Sequence, residues 1–183
     1  MANISSASFI RPEDFWRARG LKAEQTVVHF GCGAGFYLVP AARIVGRKGR
    51  VIGIDVRADM LREAESRAER AGVADIVHTI RSNLENNHGS LLESSSADWT
   101  LVANIVHQAD TRKILTEAQR ITRQDSTIIV VEWDTVATPL GPPPQQRITK
   151  QKVLEVARDL GIGVRGEFAP SPYHYGLLLS PRI

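Results

Sequence analysis

The chain has 183 residues with 23 Lys+Arg against 20 Asp+Glu, a net charge of +3, and 43% hydrophobic residues. That composition is globular rather than disordered, and the length suits one domain of about 150 residues or slightly more. The single cysteine excludes an intramolecular disulfide and any multi-cysteine zinc or iron–sulfur site. No apolar run approaches the ~20 residues of a membrane helix, and the start of the chain has neither the basic nor the apolar region of a secretory signal, so the cytoplasm is the expected compartment.

In chain order, an appended helix is expected at 12–19 within an N-terminal extension, residues 1–20, with Pro12 opening it. Thr26–Gly31 is a short β-branched run ending in glycine. Gly33–Gly46 reads as a helix, with Leu38, Ala41, Ala42 and Val45 on one face and Pro40 near its first turn. Arg50–Val56 is a second strand. Ala58–Ala71 is a strongly amphipathic helix with Met60, Leu61, Ala64, Ala68 and Ala71 inward, a Glu63–Arg67 pair on its wet face, and Gly72 closing it.

Ile76–Arg81 is a third strand, and the polar stretch Asn83–Ser96 a loop with one helical turn at Leu91–Glu93. Asp98–Ile105 is a fourth strand and Asp110–Thr122 a helix burying Ile114, Leu115, Ala118 and Ile121. Thr127–Trp133 is a fifth strand, whose nearly continuous apolar run suits a sheet centre covered on both faces. A stiff proline-rich loop around 139–144 follows, then a helix over Thr149–Leu160 with Thr149 as N-cap. Two final strands, Gly163–Phe168 and Tyr175–Ser180, are too close in sequence for a parallel crossover and must pair antiparallel. Alternating strands and helices predict a doubly wound α/β sheet, parallel but for one strand near its end.

In such a sheet a ligand binds at the carboxyl ends of the strands, at the switch point. The loop there reads Gly31-Cys32-Gly33-Ala34-Gly35-Phe36, and Asp55 ends the second strand, able to accept from both hydroxyls of a ribose. The glycines allow close approach of a ligand, and the helix N-terminus behind them favours negative charge. Two cofactors fit the layout. A dinucleotide needs a small sixth residue where this chain has Phe36, which would crowd a pyrophosphate. S-adenosylmethionine has no pyrophosphate and needs less room.

Six segments carry a family resemblance: VVHFGCGAGFY, VIGIDVRADML, IRSNLE, DWTLVANIVHQ, EWDTVATPLGPPPQQRIT and SPYHYGLLL. Over roughly residues 12–180 the chain resembles the class I S-adenosylmethionine-dependent methyltransferases, among the small bacterial methyltransferase-domain proteins. The resemblance implies a Rossmann-like, doubly wound seven-stranded sheet in the order 3-2-1-4-5-7-6 with strand seven antiparallel, and one methyltransferase domain over 1–183. It implies S-adenosylmethionine as cofactor, leaving S-adenosylhomocysteine as product. The implied cofactor-binding residues are His29, Gly31, Cys32, Gly33, Phe36, Asp55, Val56, Asn83, Leu84 and Asn104, with Asp55 on the ribose and Asn83 accepting from the adenine amino group.

The chain departs from the family at two of these positions, with His29 in place of an acidic residue and Asn83 in place of Asp, and also at the turn that the resemblance implies before strand five, which reads Gln124-Asp125-Ser126 in place of Pro-Gly-Gly. His29, if neutral, can accept only one bond from the cofactor's ammonium. His107 follows the fourth strand, where the methyl group would lie, and is the candidate general base, since an imidazole titrates near working pH. A helix-packing role for His107 stands beside that reading, and Glu132 reads as a structural carboxylate. Ala103-Asn104-Ile105-Val106 is unlike the Pro-Pro-aromatic motif of enzymes that methylate base amino groups. The expected partner is a small-molecule substrate rather than nucleic acid or a membrane, for a monomer or homodimer without a bound metal. The alternatives are a non-catalytic or weakened cofactor binder, an RNA methyltransferase suggested by an isoelectric point near 9.3, and a nicotinamide oxidoreductase.

Overall fold

A computed structural model describes residues 10–136, 138 and 140–182. Its elements are α1 (Pro12–Arg19), β1 (Thr26–Phe30), α2 (Leu38–Val45), β2 (Arg50–Asp55), α3 (Ala58–Arg70), β3 (Val77–Arg81), β4 (Ala97–Ala103), α4 (Thr111–Ile121), β5 (Thr122–Trp133), α5 (Lys150–Asp159), β6 (Gly163–Ser171) and β7 (His174–Ser180). The first nine residues of the expected N-terminal extension, and Pro139 of the proline-rich loop, lie outside the described residues.

Seven strands form one sheet in the order β3-β2-β1-β4-β5-β7-β6. Pairing is parallel from β3 through β5, and β7 runs antiparallel to both β5 and β6. The alternation of each strand decides which helices it meets. Val27, Val51, Leu101, Ile129 and Val131 pack with α1, α2 and α3 on one face. Val28, Ile52, Val102, Ile128 and Val130 pack with α4 and α5 on the other. Both sides of β1, β4 and β5 are therefore dry, which explains their nearly unbroken apolar sequences. Among the described residues no helix is long and apolar enough to cross a membrane.

Three local expectations are corrected. The helix after β1 begins at Leu38 rather than Gly33, because Gly33 and Gly35 hold left-handed φ of 50° and 78° and keep 33–37 in turns. Pro40 then falls third in α2, where its missing N–H costs nothing. No helical turn forms at 91–93, where Leu91 has φ 59°. Gln124–Ser126 is not a turn, since β5 starts at Thr122 directly after α4. Thr122 Oγ1 donates to Ala118 O at 2.6 Å and turns the chain out of the helix. Ala97 pairs with Thr122 but Trp99 with Thr127, so five steps on β5 oppose two on β4, and Arg123, Gln124 and Asp125 bulge into solvent. Glu63 lies 3.8 Å from Arg67 as expected, but the Arg70 guanidinium is closer, at 3.0 Å.

Candidate active site

The order of the sheet reverses between β1 and β4, and a cavity of about 640 Å³ opens there at the carboxyl ends of β1, β2 and β4. Its wall includes all ten residues anticipated for the cofactor: His29, Gly31, Cys32, Gly33, Phe36, Asp55, Val56, Asn83, Leu84 and Asn104.

Close packing dictates the glycine loop. Gly31 N and Cys32 N both donate to Ile54 O, at 2.8 and 3.0 Å, folding the loop back over β2. Gly31 has φ 67°, and a Cβ there would run into the Ile105 side chain. Gly35, at φ 78°, lets α3 approach, because its Cβ would stand 2.9 Å from Ala64 Cβ and 3.1 Å from Ala64 Cα. Asp55 spans the mouth of this loop. Its Oδ2 accepts from Gly33 N and its Oδ1 from Arg57 N, both at 2.9 Å. Each carboxylate oxygen keeps a further lone pair for a ligand.

Cys32 is 4% exposed. Burial, with the Asp55 carboxylate adding to it, pushes the thiol up to about 12, so it stays protonated. Asn83 differs from expectation in part. Its Oδ1 already accepts from Glu85 N at 2.9 Å, an Asx-type turn, leaving one lone pair for an adenine amino group. Phe36 and Val56 are 53% and 54% exposed, an apolar lip on either side of the opening.

Two wall residues carry unsatisfied polar atoms. His29 is 3% exposed, and neither Nδ1 nor Nε2 has a partner among the described residues. Burial pushes this imidazole down to about 3, so it is neutral, and its ring meets Tyr37 edge-on at 5.4 Å. Asn104 has φ 55°, its N–H donates to Val131 O at 2.9 Å, and its buried Oδ1 has no partner. A buried polar atom without a partner costs ~1–3 kcal/mol, and a left-handed asparagine ~1 kcal/mol or more. Both expenses fall on one cavity wall, where a ligand with hydrogen-bonding groups would relieve the first. The residues present therefore fit an amino-acid-bearing nucleoside.

His107 is placed differently. Ile105 and Gln108 on either side of it line the cavity, but His107 itself does not. Its Nδ1 lies 3.0 Å from Glu132 Oε1, and its backbone N–H donates to Glu132 Oε2 at 3.4 Å. The sequence reading missed Met60 on the wall, assigning it to the buried stripe of α3, and also missed Arg57, Ser82 and Glu85. Their adjacency to Asp55 and Asn83 was the available signal.

This sheet, with its seventh strand inserted antiparallel beside the fifth and an aspartate closing the second, defines the class I methyltransferase architecture. A family model described as "Methyltransferase domain" matches residues 21–159, and the chain belongs to that family, carrying an S-adenosylmethionine-dependent methyltransferase domain. The structure is similar to a SAM-dependent methyltransferase from Aquifex aeolicus, at 27% identity and TM-score 0.85 over 97% of this chain and 93% of that one. The fold is also that of a geranyl diphosphate C-methyltransferase from Streptomyces coelicolor A3(2), crystallised with Mg2+, geranyl diphosphate and S-adenosyl-L-homocysteine, at 14% identity and TM-score 0.74 over 93% of this chain and 79% of that one. An uncharacterized 37.1 kDa protein of transposon TN4556 from Streptomyces fradiae is 30% identical over 115 residues, 61% of this chain. The match spans 32% of that relative's length.

Proposed function

We propose that this protein transfers a methyl group from S-adenosylmethionine to a nucleophilic atom of a small molecule, with His107 as general base. The observation that carries the cofactor half is the convergence of the Asp55 carboxylate with the unpaired atoms of His29 and Asn104 on one glycine-lined cavity. When bound, the cofactor supplies an electrophilic methyl carbon on a sulfonium.

The chain's own residues have four tasks. Asp55 accepts from the ribose hydroxyls with the lone pairs that Gly33 N and Arg57 N leave free. His29 and Asn104 accept from the ammonium. Val56 and Phe36 cover apolar faces, and Asn83 and Leu84 border the adenine. Most of the rate then comes from holding the reactants in line and excluding water. The cavity's size is in the range of small-ligand sites, and a structural neighbour acts on geranyl diphosphate, which supports a small acceptor.

Thermal unfolding with added ligands tests the proposal. S-Adenosylhomocysteine at 100 times its dissociation constant should add ~2.7 kcal/mol, roughly 5–11 °C for a chain of this size. NAD should add nothing. Asp55→Ala should weaken the adenosyl ligand by ~1.5–3 kcal/mol, because charge-assisted bonds to ribose vanish and the Gly33 amide loses its anchor. Millimolar S-adenosylhomocysteine without any shift would sink the reading.

A further inference from the structure

At the end of β5 the Glu132 side chain is completely buried, and three N–H groups converge on it. Trp133 N donates to Oε1 at 2.8 Å. His107 Nδ1 meets the same oxygen at 3.0 Å, and the His107 backbone N–H reaches Oε2 at 3.4 Å. A carboxylate surrounded in this way accepts from every neighbour, so Nδ1 carries the hydrogen and the lone pair of the neutral ring is on Nε2.

The ring's hydrogen bond among the described residues is the one through Nδ1, which leaves Nε2 unengaged, and the side chain is 12% exposed. A second imidazole, His174, pairs in register with Trp133 but is engaged elsewhere, its Nδ1 at 2.7 Å from Ser171 Oγ. Tyr175, opposite Glu132, donates its hydroxyl to Ile148 O at 3.1 Å. Among the described residues the buried carboxylate thus serves one imidazole, and that imidazole's free nitrogen is on the segment whose neighbours form the cavity wall.

We propose that Glu132 is a positioning residue that holds His107 as the Nδ1–H tautomer, and that His107 Nε2 takes the proton of a phenolic or enolic hydroxyl on the acceptor. This rests on the methyl-transfer reading above. In the step, the acceptor O–H bond breaks, the proton bonds to Nε2, and the electron pair stays on oxygen as the nucleophile. The imidazolium that forms faces the Glu132 carboxylate. The acceptor class follows from matching proton affinities. A thiol, near 8.5, ionises substantially without help, and an aliphatic alcohol is so weak an acid beside an imidazolium that little alkoxide forms. A phenol near 10 lies within a few units of an imidazole, so a fixed base accelerates its reaction most.

The full chain labelled with 15N-histidine tests the tautomer by NMR at pH 8. His107 should show a protonated Nδ1 and a bare Nε2, and a protonated Nε2 overturns the proposal. Glu132→Gln should turn the single tautomer into a mixture while S-adenosylhomocysteine affinity stays within about twofold, and Glu132→Asp should recover part of the wild-type pattern. An unchanged tautomer in folded Glu132→Gln means that Glu132 does not position the ring.

The acceptor class is tested with catechol and 2-naphthol as probes, measuring S-adenosylhomocysteine release. Transfer is expected to at least one of them, with His107→Asn lowering kcat about 100-fold or more at unchanged cofactor affinity. No transfer to either probe overturns the acceptor class, whatever the nitrogen spectrum shows. Failure of wild type to bind S-adenosylhomocysteine at all instead removes the methyl-transfer reading beneath it.

Discussion

His29 stands in a strand beside the apolar Val27, Val28 and Phe30, with Gly53 and Leu101 next to it in the sheet and the Tyr37 ring against it. An imidazole there is tolerated because it stays neutral, yet neither of its nitrogens has a partner among the described residues. An aspartate at the same point would be worse in the empty protein and better in the loaded one. A buried carboxylate without a partner destabilises the fold, whereas one facing an ammonium makes a charge-assisted bond. His29→Asp is therefore expected to lower the melting temperature of the ligand-free protein. It should tighten S-adenosylmethionine by ~1–2 kcal/mol, roughly 5- to 30-fold. Isothermal titration at pH 8 with a melting curve for each protein reads both effects. A folded variant that binds no better shows that this position does not hold the ammonium.

At the scale of elements, the long connection from β3 to β4 carries Asn83 and Leu84 of the cavity wall and has no regular structure of its own. Side chains from α4 hold it. Glu117, 5% exposed, accepts from Ser90 N at 2.9 Å and from Ser90 Oγ at 2.5 Å. Arg120 binds both oxygens of Glu117 at 2.7 and 2.8 Å and donates to Leu92 O at 2.7 Å and Ser94 Oγ at 3.2 Å. Burial alone would raise the Glu117 carboxyl, but Arg120 and Ser90 together hold it below its usual range. Arg120→Ala leaves that carboxylate buried without its cation, at a cost of ~3–5 kcal/mol, or about 6–20 °C in melting temperature. Amides of 86–93 should lose hydrogen-exchange protection before those of β4. Equal loss throughout the sheet would show that the loop and α4 unfold only with the whole protein.

The whole molecule gains an acid sensitivity from its buried imidazoles. Burial lowers His29 to about 3 and, acting with Arg147 against Glu132, lowers His174 to about 4. Both are below the 6.5 of an unfolded histidine, so as pH falls the unfolded chain takes up protons that the native one refuses. Stability is complete above pH 6.5 and declines as pH drops toward 4, by roughly 3–6 kcal/mol from these two groups. His174→Gln should flatten the fall in melting temperature between pH 7.5 and 5 without altering S-adenosylhomocysteine binding, since His174 is not on the cavity wall. Parallel curves for the two proteins would show that His174 is already charged in the native state.

Periodicity and local chemistry determined most of the architecture. Short β-branched and apolar runs placed all seven strands, the short β6–β7 connection required an antiparallel ending, and Thr149 as N-cap marked the start of α5. The glycine loop and Asp55 located the cavity because a switch point needs backbone freedom and a carboxylate at neighbouring strand ends. What tertiary structure alone decided were relations between residues distant in sequence. The α4–β5 junction became a bulge because Ala97 claims Thr122 across the sheet, although Gln124-Asp125-Ser126 has turn chemistry locally. Met60 faces the cavity because Gly35 draws α3 against the loop through Ala64. Glu132 meets His107, 25 residues away, because β4 and β5 end side by side, and no local pattern marks that pairing. Hydrophobic spacing reports which face of an element is dry; which polar group meets which is set only when the faces close.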